Sequence, residues 1–428
     1  MTTFPLLEAL LHRRSRRFAK GMNLAGGPLA YTSARAPEPL TLDHEAALAF
    51  AACGITGYAL AELPYNSGGQ IMTHFVGRTA ASGDAMHNVA VFVLNDQGAW
   101  MLRRPQDFPR TEIPGLIQAA REHRLVELYE KQRVRVADRR PDVPREVPYV
   151  PLFNQWMANV PGTTYFLPVA EMTALYINVM LSAFSEEFAY YVVDERNGYR
   201  PAGVERFARS RGGMLHDDPA KGRFATVGAL ETWIAEFIAI EHGGILQNLG
   251  LMAQALGLGG FPHFAAHPFG WFQALGFRME PVPFTRLAGF GSLRRAAARA
   301  LGKDLDIPTA VGLECDGQPL LRPHCPPYHR SMRDAVLAFV DYKFAPGRGT
   351  LRDGGAASGW RDGERVQAAI PRYADQTVEA AIAYCEYVYE RYGRFPAMCG
   401  PFRTVLAYQA HRLDPDFYQR FYREAALG

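Results

Sequence analysis

One stretch constrains this chain more than any other. Across residues 229–258 the apolar side chains recur at helical spacing: Leu230, Ile234, Phe237 and Ile238 open a face that Ile245, Leu249, Met252 and Leu256 continue. The run closes on Gly257-Leu258-Gly259-Gly260, where glycine suits a helix end because a positive φ costs it little. Gly243 and Gly244 lie inside the run, and each costs about 1 kcal/mol against alanine in a helix. A helix that keeps two such residues is expected to pack closely against another backbone or a ligand. Gln247 and Asn248 interrupt the apolar pattern, either as an outer polar edge or as ligand contacts.

A helix of this kind needs a substantial core around it, and the composition supplies one. The chain has 428 residues, 48% hydrophobic and 21% charged, which suits one large domain with additions or two domains. The net charge of +3 carries no footprint for nucleic acid. The five cysteines are odd in number and show no C-x-x-C pair, so neither a disulfide scaffold nor a zinc module is expected, and a reducing cytoplasm is the default compartment. Near the start the basic run follows the apolar one, the reverse of a secretory signal, and no apolar run reaches membrane-spanning length.

Along the chain, residues 4–18 read as an amphipathic helix with Leu6, Leu7, Leu10 and Leu11 on one side. A second helix follows Thr41 or Asp43 as N-cap and stops by Gly57. Residues 87–102 read as a β-hairpin turning at Asn95-Asp96-Gln97-Gly98, and residues 113–131 as helix. The proline- and charge-rich stretch 137–151 reads as a linker, 164–188 as a buried strand and helix, and 194–223 as a polar excursion or lid. Gly347 to Gly363 is a second glycine-rich polar stretch. Residues 377–392 read as a tyrosine-bearing helix, and the chain ends in an aromatic helix with the i,i+4 pairs Phe417/Phe421 and Tyr418/Tyr422.

Three segments carry chemistry. In the first, residues 12–18, four arginines and a serine stand within five positions; guanidinium forks and a hydroxyl can grip a dianionic phosphate, although the same run also fits a solvated basic face or a helix resting on anionic lipid. In the second, residues 78–94, small side chains from Ala80 to Ala85 precede a strand and permit close backbone approach to a flat ligand, or simply form a loop entering the strand. The third is the glycine-bearing half of the long helix.

In this order the three segments resemble the FMN-dependent nitroreductase superfamily. Arg13, Arg14, Ser15 and Arg17 resemble its Arg-Arg-Ser-x-Arg motif, whose implied role is to hold the FMN phosphate and ribityl chain. Residues 241–259 are similar to its long central helix, which in that family packs at the dimer interface beside the flavin. Residues 78–94 are similar to the Arg-Thr-x-Pro-Ser-x-Gly-Ala stretch of a branch that includes azoline-oxidising peptide dehydrogenases. The resemblance implies an α+β fold with a mainly antiparallel sheet flanked by helices, a middle insertion and a C-terminal helical extension. It divides the chain into 1–136 and 229–300 as the nitroreductase-like domain, 137–228 as the insertion and 301–428 as the extension. It also implies a homodimer, FMN as cofactor, and cofactor contacts from Arg13, Arg14, Ser15, Arg17, Arg78, Ser82, Gly83, Ala85, Gly259 and Gly260. The implied activity is that of an oxidoreductase in which NAD(P)H passes hydride to flavin N5 and a small-molecule or peptide substrate then takes the electrons, with no partner in nucleic acid or membrane.

Two departures stand out. Ala81 occupies the branch's proline, and Asp84 places an acid where an electron-rich ring would lie. No motif marks the late basic residue that often completes the phosphate site; Arg294, Arg295 and Arg348 are the candidates. The alternative these departures favour is a flavin-free relative acting as a binding or scaffold protein. His263 and His267, and Cys315, His324, Cys325 and His329, have the residue types of metal ligands, but the surrounding prolines and irregular spacing match no usual metal pattern, so no metal is expected.

Overall fold

In a computed structural model, which describes residues 5–65 and 71–427, the chain forms an α+β fold around a seven-stranded antiparallel sheet. The strand order is Gly259–His263, Ala407–His411, Thr164–Glu171, Val89–Asn95, Gly98–Leu102 and Arg133–Ala137, and Phe402–Arg403 pairs alongside Thr164–Glu171. The expected hairpin forms, with Val91 opposite Leu102 and Asn95 opposite Gly98. Its first strand is buried at every position because the sheet is covered on both sides. Val89, Val91 and Val93 join one core, and Ala90, Phe92 and Leu94 join the other, as alternation along a strand requires.

The long helix spans Val227–Ala255 and packs in the first of these cores with the Leu42–Cys53 helix. Thr226 caps its start by accepting a hydrogen bond from Ala229 N at 3.1 Å, and Gly257 ends it at φ +68°. Gly259 and Gly260 then begin a sheet strand instead of extending the cap. The Leu42–Cys53 helix begins at Thr41, which accepts from His44 N.

The structure redraws several sequence expectations. The first helix covers only Leu6–His12, so Arg13 to Arg17 lie beyond it and outside any helix, and Arg16 bridges Gly260. Phe4, expected at that helix's start, lies outside the described residues. The helix expected over 113–131 is two, Ile113–Arg121 and Leu125–Gln132, broken where His123 takes φ +56°. The stretches set apart as 137–228 and 301–428 each contribute a strand to the centre of the main sheet, Thr164–Glu171 and Ala407–His411, so that division does not follow the sheet. Linker residues 137–151 are anchored: Arg140 donates to Asn159 O, Val160 O and Thr163 O, and Val143 and Val150 are buried.

Residues 194–223 form short turns on a small three-stranded sheet centred on Tyr191–Asp194. Asp194 pins that sheet to the Asp375–Tyr392 helix by accepting from the hydroxyls of Tyr387 and Tyr392, each at 2.7 Å.

Candidate functional site

Residues 13–17 are held in place by the aromatic helix near the C-terminus and by the glycine strand. Gly260 N donates to Arg16 O at 3.1 Å, and Phe18 N donates to the Tyr418 hydroxyl at 2.9 Å. The Phe18 ring stacks on Phe417 with centroids 4.1 Å apart, so the aromatic C-terminal helix, Pro415–Phe421, clamps the basic segment. Arg16 reaches the end of the long helix, donating to Gln254 Oε1 and Leu258 O, each at 3.2 Å. Burial lowers its pKa from the ordinary arginine value. Arg17 lies over the Phe261 ring, 5.2 Å from the centroid.

Beside this segment is a cavity of about 250 Å³. Arg13 and Arg14 line it from the basic segment, Gly243, Gln247 and Gly250 from the long helix, and Gly260 and Tyr408 from the sheet. Among the described residues, none of the four arginines 13, 14, 16 and 17 forms an ion pair with a carboxylate. Arg13 and Arg14, two guanidinium groups without carboxylate partners at a glycine-lined cavity, make an anion-binding surface, while Arg16 and Arg17 engage Gln254, Leu258 and the Phe261 ring. Gly243 faces open space, with no atom within 4 Å of where a Cβ would stand. Gly260 is a glycine for another reason: a Cβ there would fall 2.5 Å from the Tyr408 hydroxyl, and one on Gly259 would fall 2.5 Å from His411 Nε2. Ser15 is exposed and does not line the cavity.

The second predicted segment meets the long helix on another side. Glu241 accepts from the Arg78 guanidinium, from Ser82 Oγ at 2.7 Å and from Val89 N at 3.0 Å. Asn248 donates to Thr79 O at 3.0 Å, and Gly244 faces Ala80. Arg78 and Ser82 are therefore engaged by a buried carboxylate. Gly83 and Ala85 sit in a short turn, where a Cβ on Gly83 would come within 2.9 Å of Phe237. Glu241, Gly244 and Asn248 share one side of the helix, while Gly243, Gln247 and Gly250 share another, roughly 125° away at about 100° per residue. The arginines and the glycine-rich helix thus meet around a cavity, whereas the 78–85 segment lies against a different face of the same helix in this protomer.

Sequence reasoning missed a second group of polar residues. Asn178 lies in the apolar Thr173–Ala183 helix; its Oδ1 accepts from Lys343 Nζ at 2.9 Å and its Nδ2 donates to Asp84 Oδ2 at 3.2 Å. A lone amide in an otherwise apolar helix, and a lysine in the apolar run around Phe339 and Phe344, were the available signals. A further cavity, of about 320 Å³, is lined by His74, Tyr342, Glu171 and His324, with the Tyr342 hydroxyl 2.6 Å from His74 Nε2. Burial pushes His74 and His324 each down to about 3, so both imidazoles are neutral at physiological pH.

The other flagged residues take structural positions. His263 Nε2 lies 3.0 Å from Gln409 Oε1 in the sheet, and His267 caps a helix by accepting from Phe269 N, so the two do not share a helix face. Among the described residues no group of three His, Cys, Asp or Glu side chains is arranged to hold a metal ion. Arg294 and Arg295 lie on the Ser292–Ala300 helix and, like Arg348, do not line the arginine cavity. Among the described residues no helix is long and apolar enough to cross a membrane.

No family model matches the chain. No curated protein matches it either. Among solved structures, the chain is similar to that of a presumed nitroreductase from Ralstonia eutropha JMP134. The two are 14% identical, the match covers 64% of this chain and 77% of that one, and the TM-score is 0.30.

Proposed function

We propose that the arginine cavity binds the phosphate of FMN and that the protein is a flavin-dependent oxidoreductase of the nitroreductase type. The observation that carries this reading is the meeting of two carboxylate-free arginines, Arg13 and Arg14, with the glycine face of the long helix. Arg13 and Arg14 line the cavity and would meet the phosphate, Arg17 follows them in the chain with its guanidinium over Phe261, and the bare surface at Gly243 leaves room for a ring system. Bound FMN would supply two-electron redox chemistry between NAD(P)H and a small-molecule or peptide substrate. The chain's own part is to orient the cofactor and to place positive charge against its anionic groups. Tyr408 walls the cavity, and burial raises its phenol above the ordinary tyrosine range, so it stays a neutral donor.

The reading includes a homodimer, because the 78–85 segment and the arginines occupy different faces of the long helix and a second copy can supply the missing flank. The test is the visible absorption spectrum of the full-length protein reconstituted with FMN. Wild-type protein should retain a flavin spectrum through gel filtration, and the double substitution Arg13→Ala/Arg17→Ala should lose it while the far-UV circular dichroism is unchanged. Wild-type protein that emerges colourless overturns the proposal. That result would leave the flavin-free binding protein, a reading favoured by the engagement of Arg78 and Ser82 with Glu241.

A further inference from the structure

We propose that a second cavity, sharing no lining residue with the arginine cavity, is a binding site for a small organic cation with an apolar body. The cavity measures about 460 Å³. Phe188, Tyr190, Trp233 and Phe237 line it together with aliphatic side chains such as Leu230, and among the described residues Asp84 is its one carboxylate. Trp233 and Phe237 meet edge to face, their centroids 5.1 Å apart with planes at 76°. Aromatic faces carry negative quadrupole density and attract a cation whose substituents can also bury against them. A mostly apolar chamber with one charged group is the usual form of a small-ligand site.

The carboxylate is positioned by its surroundings. Asp84 takes φ +54°, a left-handed conformation that Asp and Asn enter more readily than most residues. Its main-chain carbonyl is held there by Thr73, whose N and Oγ1 donate to it at 3.2 and 3.3 Å. The Asp84 side chain has a single hydrogen bond among the described residues, from Asn178 Nδ2 to Oδ2. Lys343 can only donate, so it fixes the Asn178 amide with Oδ1 towards itself and Nδ2 towards Asp84. Oδ1 of Asp84 therefore keeps its acceptor capacity for a ligand. The charged or titratable neighbours are Lys343 and Tyr373, which share a 2.7 Å hydrogen bond behind Asn178. Burial pushes Asp84 up to about 6 and Lys343 down to about 7.

The site is tested on the full-length protein, with or without flavin, using phenethylamine as the cationic probe and 3-phenylpropionate as an anion of similar shape. Binding is followed by tryptophan fluorescence and by thermal shift. Phenethylamine should bind saturably and raise the melting temperature, and 3-phenylpropionate should do neither. Asp84→Asn, which suits the same left-handed backbone, should weaken phenethylamine at least about tenfold, the scale of a lost charge-assisted contact. Trp233→Ala, on a half-exposed helix position, should also weaken it. Affinity should fall as pH drops through about 6, because protonation removes the carboxylate charge, and should not fall as pH rises through about 7, where Lys343 loses its own charge. The proposal is overturned if wild-type protein shows no saturable binding, if the two probes bind equally, or if Asp84→Asn binds phenethylamine as the wild type does.

Discussion

Glu241→Gln removes one charge from the pair that ties the 78–85 segment to the long helix. Both side chains are 1% exposed, so Arg78 would keep a buried positive charge without a counter-ion, a change that costs about 3–5 kcal/mol. Arg78→Met strands the carboxylate instead. Ser82 Oγ and Val89 N still donate to it, which keeps the cost near the lower end, about 3 kcal/mol. Acting independently, the two changes would together remove roughly 6–8 kcal/mol. The double variant R78M/E241Q holds no buried charge, and its new amide oxygen can still accept from Val89 N. What remains is the lost hydrogen bond from Arg78 Nη1 to Val89 O, 3.0 Å in the native protein and worth about 1–3 kcal/mol when its buried partner is left unmet. The double variant should therefore be more stable than the sum of the two single costs predicts, with a coupling of about 3–7 kcal/mol. Urea denaturation of wild type, both single variants and the double, read by tryptophan fluorescence and circular dichroism, gives the cycle directly. Additive costs would refute the pairing and return the Arg78 guanidinium to the pool of groups free for a ligand.

The remaining predictions are shorter. Gly260→Ala drives a Cβ into the buried Tyr408 ring and should cost about 1–3 kcal/mol, with weakened retention of FMN in the same variant, seen by melting curve and flavin spectrum. Tyr418→Phe removes the acceptor for Phe18 N, should cost about 1 kcal/mol, and should loosen the arginine segment enough to speed flavin loss on dilution. Glu231, buried with its carboxylate accepting from Ala397 N and Met398 N at 2.6 Å each, is pushed up to about 7 from 4.5. The folded protein holds that proton more tightly than the unfolded chain, so the stability it contributes is full below about 4.5 and is lost as pH rises through about 7, a swing of about 3 kcal/mol. Melting temperature followed across that interval should fall in the wild type and flatten in Glu231→Gln; an unchanged slope in the variant would assign the titration to another group.

What was legible in the sequence was what local physics decides. The long helix announces itself through eight apolar positions at helical spacing, and the hairpin through a buried β-branched arm and a polar turn. The basic segment was legible as chemistry and misplaced as structure: nothing local to Arg13 says that the chain leaves the helix there. The reason lies some 400 residues away, where Tyr418 and Phe417 hold Phe18, and at Gly260, which pairs with Arg16. Long-range pairing also explains why the stretches read as insertion and extension carry central strands. Thr164–Glu171 falls in the stretch read as a buried strand and helix, but like Ala407–His411 it is buried on both faces, and without the alternation of a strand with one wet side nothing local assigns either to the centre of the main sheet. Arg78 shows the same limit, since its carboxylate partner is 163 positions further on. Asp84 looked unhelpful beside a flavin; the structure places it on a separate cavity.

The dimer can be argued from surface that the protomer leaves uncovered. Leu6, Leu7, Leu10 and Leu11 are 64%, 65%, 51% and 57% exposed, and on the long helix Ile240 is also exposed, one turn before Gly243. Four leucines left about half open forgo roughly 3–6 kcal/mol of burial in each protomer, enough in a two-fold contact to offset a good part of the association cost. Because the arginines and the 78–85 segment sit on separate faces of one helix, the same contact that covers these leucines is expected to bring the second copy's flank towards the arginine cavity. Leu7→Glu/Leu11→Glu places two charges in that contact and leaves the core alone. Light scattering at micromolar concentration should show a dimer for wild type and a monomer for the variant, and the monomer should hold FMN more weakly although Arg13 and Arg17 are intact. A wild-type monomer, or a variant that becomes monomeric and keeps its flavin undiminished, would mean that one protomer builds the whole site and that the leucines face something other than a second copy.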